Sequence, residues 1–143
     1  MILKSACAFS HTNSETDFAI LIVSRLTQND GKTRDPYLCE IAQRYEDCWR
    51  PELAPRPKTV GAWYRKEINW QEFSDQYLTY LKSETGQVAT SKLYETIKQK
   101  KVVTVLCVED TCDHCHRSLL LDFMEKKYPD IEITKDVSDC KPQ

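Results

Sequence analysis

No stretch of the sequence stays apolar long enough to cross a bilayer. The longest run, Phe18 to Val23, falls far short of the roughly 20 residues a membrane helix needs, and no membrane partner is expected. Charge of one sign is missing too. The formal net charge of −2 supplies no global basic field to recruit nucleic acid or anionic lipid, although local basic patches stay open. Glycine is scarce, with three residues in 143. Neither an internal repeat nor a low-complexity tract interrupts the chain. The N-terminal MILKSACAFSH carries one lysine and turns polar at Ser10, unlike a secretory signal, so a cytoplasmic location is expected.

What is present is globular in kind. Hydrophobic residues at 41% and charged residues at 29% suit a chain that buries a core rather than one that stays disordered. The length suits one domain over residues 1–143. Seven cysteines are many for a cytoplasmic domain of this size. Disulfides are disfavoured in a reducing compartment, so clustered cysteines point to metal binding or thiol chemistry. Cys7, Cys39 and Cys48 have no ligand-type neighbours and read as scattered buried thiols.

The clustered ones lie in KVVTVLCVEDTCDHCHR, from Lys101 to Arg117. Val102 to Val108 is a β-branched run that suits a strand covered on both faces. Glu109, Asp110, Cys112, His114, Cys115, His116 and Arg117 then crowd together, and a helical apolar pattern follows at Leu119, Leu120, Phe123 and Met124. Strand, reactive loop, helix is the order in which open α/β folds place ligands.

The rest of the chain fits that class. Ile2–Phe9 and Phe18–Leu26 read as strands, separated by a polar loop at 11–17, and the second ends in the turn TQNDGK. Asp35-Pro36 is a helix start, with Leu38, Ile41, Ala42, Tyr45 and Trp49 on one face. Pro51, Pro55 and Pro57 predict an extended loop, and Trp63, Tyr64 and Ile68 a short helical piece. Asn69 and Glu72 spell a capping box ahead of an aromatic stripe, Trp70, Phe73, Tyr77 and Leu81, which Gly86 is expected to close. At helical spacing that stripe is core packing rather than a base-stacking face. A helix from about Ser91 ends in Lys98, Lys100 and Lys101, which match the negative end of its dipole. A helix from about Cys115 to Tyr128 and a strand at Ile131–Thr134 follow, with a loose tail over about 135–143. The predicted architecture is one α/β domain: a mostly parallel sheet of three to five strands with helices on both faces.

Three blocks resemble the family catalogued as "domain of unknown function 488". They are Val23-Ser24-Arg25-Leu26; Glu52-Leu53-Ala54-Pro55 followed by Trp63 and the Trp70/Phe73/Tyr77 helix; and Leu106-Cys107-Val108-Glu109 leading to Cys115-His116-Arg117, which is similar to that family's Cys-His-Arg signature. The likeness spans about residues 18–124. It implies a small α/β domain with its best-marked residues on this loop, and no assigned activity. Ser24 stands where relatives often carry Asp, and Thr27-Gln28-Asn29-Asp30 where some carry Trp-Pro-Arg-Gly. Cys112 is not part of the signature.

The residues themselves carry the chemical expectation. A thiol at a helix N-terminus meets unsatisfied N–H groups and the positive end of the dipole, which lower its pKa; Cys115 sits there, beside Arg117. The same N–H groups bind phosphate or carboxylate. If the strands are parallel, Arg25 emerges on that edge, giving an anion pocket with a nucleophile in it. The catalytic candidates are therefore Cys115, His116 and Glu109, and the ligand-binding candidates Arg25, Arg117 and Ser118. The expected partner is a small anionic or phosphorylated ligand such as a nucleotide, with no cofactor, and the reaction class is a cysteine-dependent hydrolase or transferase. Glu109, His116 and Arg117 could equally form a structural cluster that fixes the loop.

Other readings stay open. Cys112-x-x-Cys115 has zinc-knuckle spacing, with Cys107, His114 or His116 to complete the ligands; the donor set is Cys107, Cys112, Cys115 and His116. Cys112 and Cys115 could form a redox-sensing pair, although Asp113 disfavours the thiolate. The formal haem-attachment spelling Cys112-x-x-Cys115-His116 is a coincidence without export. A nucleic-acid accessory role would need a basic face made of Lys92, Lys98, Lys100, Lys101 and Arg117. The composition assigns no oligomeric state.

Overall fold

The computed structural model describes residues 1–8, 18–28, 32–108 and 116–134. Within them four segments are extended: β1 (Ile2–Cys7), β2 (Phe18–Leu21), β3 (Val102–Cys107) and β4 (Glu132–Thr134). They pair in the order β2-β3-β1-β4, and every neighbouring pair is parallel. The β-branched run is the inner strand β3, between β2 and β1, with Val103 through Cys107 all buried. Both faces are covered, as its uninterrupted apolar sequence requires.

Five helices complete the described chain: α1 (Pro36–Ala42), α2 (Pro57–Tyr64), α3 (Trp70–Lys82), α4 (Glu84–Lys100) and α5 (His116–Lys127). Alternation along β3 sorts the two layers. Val103, Val105 and Cys107 pack with Tyr77 and Leu81 of α3, Leu93 and Ile97 of α4, and Leu120, Leu121 and Met124 of α5. Leu106 faces the other way, with Ala19, Leu21 and Val23 against Leu38 and Ile41 of α1. The α/β class, the parallel sheet and the two helical layers expected from the sequence are all present.

Several local expectations need correction. β2 ends at Leu21 rather than Leu26, although Ile22 and Val23 remain buried. Asp35 does cap α1, its carboxylate accepting from the Tyr37 and Leu38 amides at 2.9 and 3.2 Å. Yet the helix stops at Ala42, so Trp49 does not share its face. Trp49 instead bridges in parallel to Leu21 and donates its indole N–H to the Val23 carbonyl at 2.8 Å. The proline segment is not simply extended: Pro51–Leu53 forms a 3₁₀ turn, and Pro57 opens α2 at the first helical position, where an amide hydrogen would have no intrahelical partner. Two hydroxyls of α3 hold that turn, Tyr77 donating to the Leu53 carbonyl and Tyr80 to the Glu52 carbonyl, both at 2.6 Å.

The capping box at Asn69 and Glu72 is formed as the sequence predicts. Gly86 does not close α3. It lies in the first turn of α4, which begins at Glu84 rather than Ser91 and is capped by the Ser83 hydroxyl. A Cβ on Gly86 would stand 2.2 Å from the Tyr80 carbonyl oxygen and 2.6 Å from the Leu81 Cα. The glycine allows two consecutive helices to meet at a single residue.

Candidate functional site

Parallel strands deliver their following residues to one edge. Ser24 and Arg25 after β2, and Val108 after β3, therefore meet at the carboxyl edge of the sheet. A cleft of about 730 Å³ opens there. One wall is the segment after β2, held by an antiparallel bridge between Thr27 and Arg34 and by the Gln28 amide donating to the Thr33 carbonyl at 2.7 Å. That pairing brings Lys32 to the cleft beside Arg25. The opposite wall is α2, which contributes Lys58, Gly61 and Tyr64, with Arg65 just beyond its end. His116, the first residue of α5, completes the lining. Arg25, Lys32, Lys58, Arg65 and His116 all line the cleft, and no carboxylate is among the described lining residues.

Arg65 is paired with an acidic neighbour. Its Nε and Nη2 donate to the two carboxylate oxygens of Glu67 at 2.8 and 3.1 Å, on the surface. That pairing pushes the guanidinium pKa up and the Glu67 carboxyl pKa down.

His116 is 3% exposed. Its Nε2 lies 2.6 Å from the Ile22 carbonyl oxygen. A carbonyl only accepts, so Nε2 carries a proton and donates it. The edge of Tyr77 packs against the imidazole at 5.7 Å and 87°. The ring is thus oriented by the segment just after β2 on one side and by α3 on the other.

The other candidates are dispersed. Arg117 is fully buried and donates from Nη1 to the Cys107 Sγ at 3.5 Å, tying the first turn of α5 to the end of β3. It does not line the cleft. Ser118 is half-buried on α5, also away from the lining. Cys107 is buried and not in a disulfide; a metal site recruiting it would have to displace the Arg117 guanidinium from its sulfur. Glu109, Cys112, His114 and Cys115 lie outside the described residues, as does the Asp30-Gly31 turn. Among the described residues no cluster of three or more His, Cys, Asp or Glu has metal-binding geometry. Cys7 departs from its reading as a scattered thiol. It is buried and disulfide-bonded.

Of the five cations considered for a nucleic-acid face, Arg117 is in the core. Lys92 pairs with Asp47 at 3.5 Å and Lys98 with Glu95 at 3.1 Å. No helix of the described residues is long and apolar enough to cross a membrane. Sequence reasoning missed Lys32, Lys58, Tyr64 and Arg65. Only the spacing of Lys58, Gly61 and Tyr64 carried a local signal, and it was split between the proline segment, which held Lys58, and the short helical piece, which held Tyr64.

A family model, DUF488-N3a, described as the active DUF488-N3 subclade, matches residues 6–128. That reaches beyond the stretch of about 18–124 whose motifs carry the resemblance, and takes in the end of β1. No significant match was found to a curated protein or to a solved structure.

Proposed function

The chain belongs to the DUF488 family, in the subclade described as active, and we propose that it binds a small anionic or phosphorylated ligand in the cleft at the carboxyl edge of its sheet. One observation carries this reading: Arg25, Lys32, Lys58, Arg65 and His116 line a single cleft with no carboxylate among the described lining residues. Cations gathered around one concave surface raise the local concentration of anions and hold them there. Arg25 supplies a planar fork suited to phosphate or carboxylate, and the lysines supply point charges.

The chemistry proposed for the bound ligand is thiol-based. Cys115 directly precedes His116, whose ring lines the cleft. A Cys115 thiolate would attack the phosphorus of a bound phosphoester and displace the alcohol, which takes a proton from water; water, in a hydrolase, or an acceptor hydroxyl, in a transferase, would then cleave the S–P bond and restore the thiol. The cytoplasmic setting expected from the sequence belongs to this reading.

Binding is tested with phosphate itself. Millimolar phosphate should raise the melting temperature by binding the folded state, and Arg25→Ala should abolish that shift. Arg25 is exposed, so its loss leaves the core intact. The buried Arg117 cannot serve for this test, since Arg117→Ala would destabilise the protein whatever its part in binding. An equal shift in wild type and Arg25→Ala would mean that phosphate acts elsewhere, or only as a stabilising salt.

A further inference from the structure

Building on the anion-binding reading, we propose that Arg65 is a cleft residue set in advance to grip the ligand's phosphate, and that Glu67, outside the cleft, is its positioning residue. The argument starts at the turn that ends α2. The Lys66 amide donates to the Trp63 carbonyl at 3.0 Å and the Glu67 amide to the Ala62 carbonyl at 2.9 Å. These two bonds close the helix in the Schellman pattern, whose pivot residue takes the left-handed conformation and is usually glycine. Here the pivot is Lys66, at φ 59°. A side chain is unfavourable in that conformation, and local backbone strain of this kind gathers at ligand clamps and active sites.

The turn brings Glu67 back beside Arg65. Its two carboxylate oxygens accept from Nε and Nη2 at 2.8 and 3.1 Å. The side chains are 61% and 55% exposed, so the pair adds little to stability. What it supplies is orientation. An unheld arginine gives up rotamer freedom when it takes a ligand, whereas a guanidinium already held gives up less. Arg65 lines the cleft and Glu67 does not. The nitrogen that takes no part in the pair, Nη1, lies toward Gly61, which also lines the cleft. The carboxylate therefore holds the guanidinium by its outer edge and leaves the inner one for the ligand.

Gly61 makes the room. A Cβ there would stand 2.9 Å from the Arg65 Nη1, so only the bare backbone lets that guanidinium fold back over α2. Glycine inside a helix weakens it relative to alanine. The α2 segment thus accepts two local penalties, at Gly61 and at Lys66, and both serve the placement of one guanidinium.

The test is calorimetric titration of the full chain with inorganic phosphate at fixed ionic strength, with urea unfolding alongside. Arg65→Ala should weaken binding by about tenfold or more, the worth of a hydrogen bond to a charged group. Glu67→Gln should weaken it by up to about fivefold, the worth of an exposed ion pair. It should have no further effect once Arg65 is alanine, because the two residues act as a unit. Gly61→Ala gives the readout that a merely structural role would not. The helix gains propensity, so the urea midpoint should rise, while the added methyl displaces the guanidinium and phosphate affinity falls. Tighter phosphate binding in Glu67→Gln would make Glu67 a competitor for Arg65 and overturn the inference. Unchanged binding in any of the three variants would overturn it too, and a loss still seen in Arg25→Ala would then leave the anion reading standing. No phosphate binding by the wild type would remove both readings.

Discussion

At the scale of single residues, burial decides what the marked side chains can do. His116 and Arg117 are neighbours, both nearly or wholly buried, yet only the imidazole reaches the cleft while the guanidinium turns back to Cys107. Tyr45 shows the same control in its titration. Its hydroxyl oxygen is buried and its ring packs on Phe18 at 4.6 Å between centroids. Burial, with Cys48 adding to it, pushes the phenol from 10.0 up to about 12. The folded pKa is raised, so the folded state holds this proton more tightly than the unfolded chain does. The resulting stability is complete below about pH 10 and is lost as the pH rises through about 12. Between those values the unfolding free energy of Tyr45→Phe should fall less steeply with pH than that of the wild type, as urea titrations at stepped pH would measure. Parallel slopes would show that Tyr45 ionises in the folded state as it does in the unfolded chain.

Among the elements, Gly86 separates local propensity from tertiary packing. Inside an exposed helix, replacing glycine by alanine gains about 1 kcal/mol. Here the added methyl would stand 2.2 Å from a carbonyl oxygen and 2.6 Å from a backbone carbon, neither able to rotate away. Overpacking of this kind costs about 1–3 kcal/mol or more, so Gly86→Ala should destabilise the protein and lower its urea midpoint. A midpoint that rises would mean that the α3–α4 corner opens without cost. The corner also explains how far the elements were legible. Asn69 with Glu72, Asp35 with Pro36 and the β-branched run of β3 are local signals, and each was formed where the sequence predicts. Gly86 carries the letter of a helix stop but serves a close approach by α3, which no local pattern encodes. Trp49 kept the helical interval while its backbone had already left α1 to bridge with β2. The site divides the same way: strand, loop and helix order pointed to Arg25 and His116, whereas Lys58 and Tyr64 join them only because α2 folds across the carboxyl edge.

On the scale of the whole molecule, the sheet separates two layers, and each contains a buried cysteine that forms no disulfide. Cys48 is 1% exposed on the α1 side, its Sγ donating to the Ile41 carbonyl at 2.8 Å. Cys107 is 0% exposed at the end of β3, in the cluster shared with α3, α4 and α5. Neither can be alkylated without opening the layer around it, so their labelling reports where the structure gives way. Cys39, half-buried at the start of α1 and hydrogen-bonded from the Arg34 Nε at 3.1 Å, should react in the native protein. Cys115 should react fastest of all, with an apparent pKa below about 8.5, if it is the nucleophile at the start of α5. In reduced, chelator-treated protein titrated with urea, Cys48 and Cys107 should become labelled at one common midpoint. The reason is that β3 contributes Leu106 to one layer and Cys107 to the other, so neither face can lose its strand alone. Separate midpoints would mean that the α1 layer unfolds on its own. A Cys115 no faster than Cys39 would remove the thiolate from the proposed chemistry and leave the cleft as a binding site.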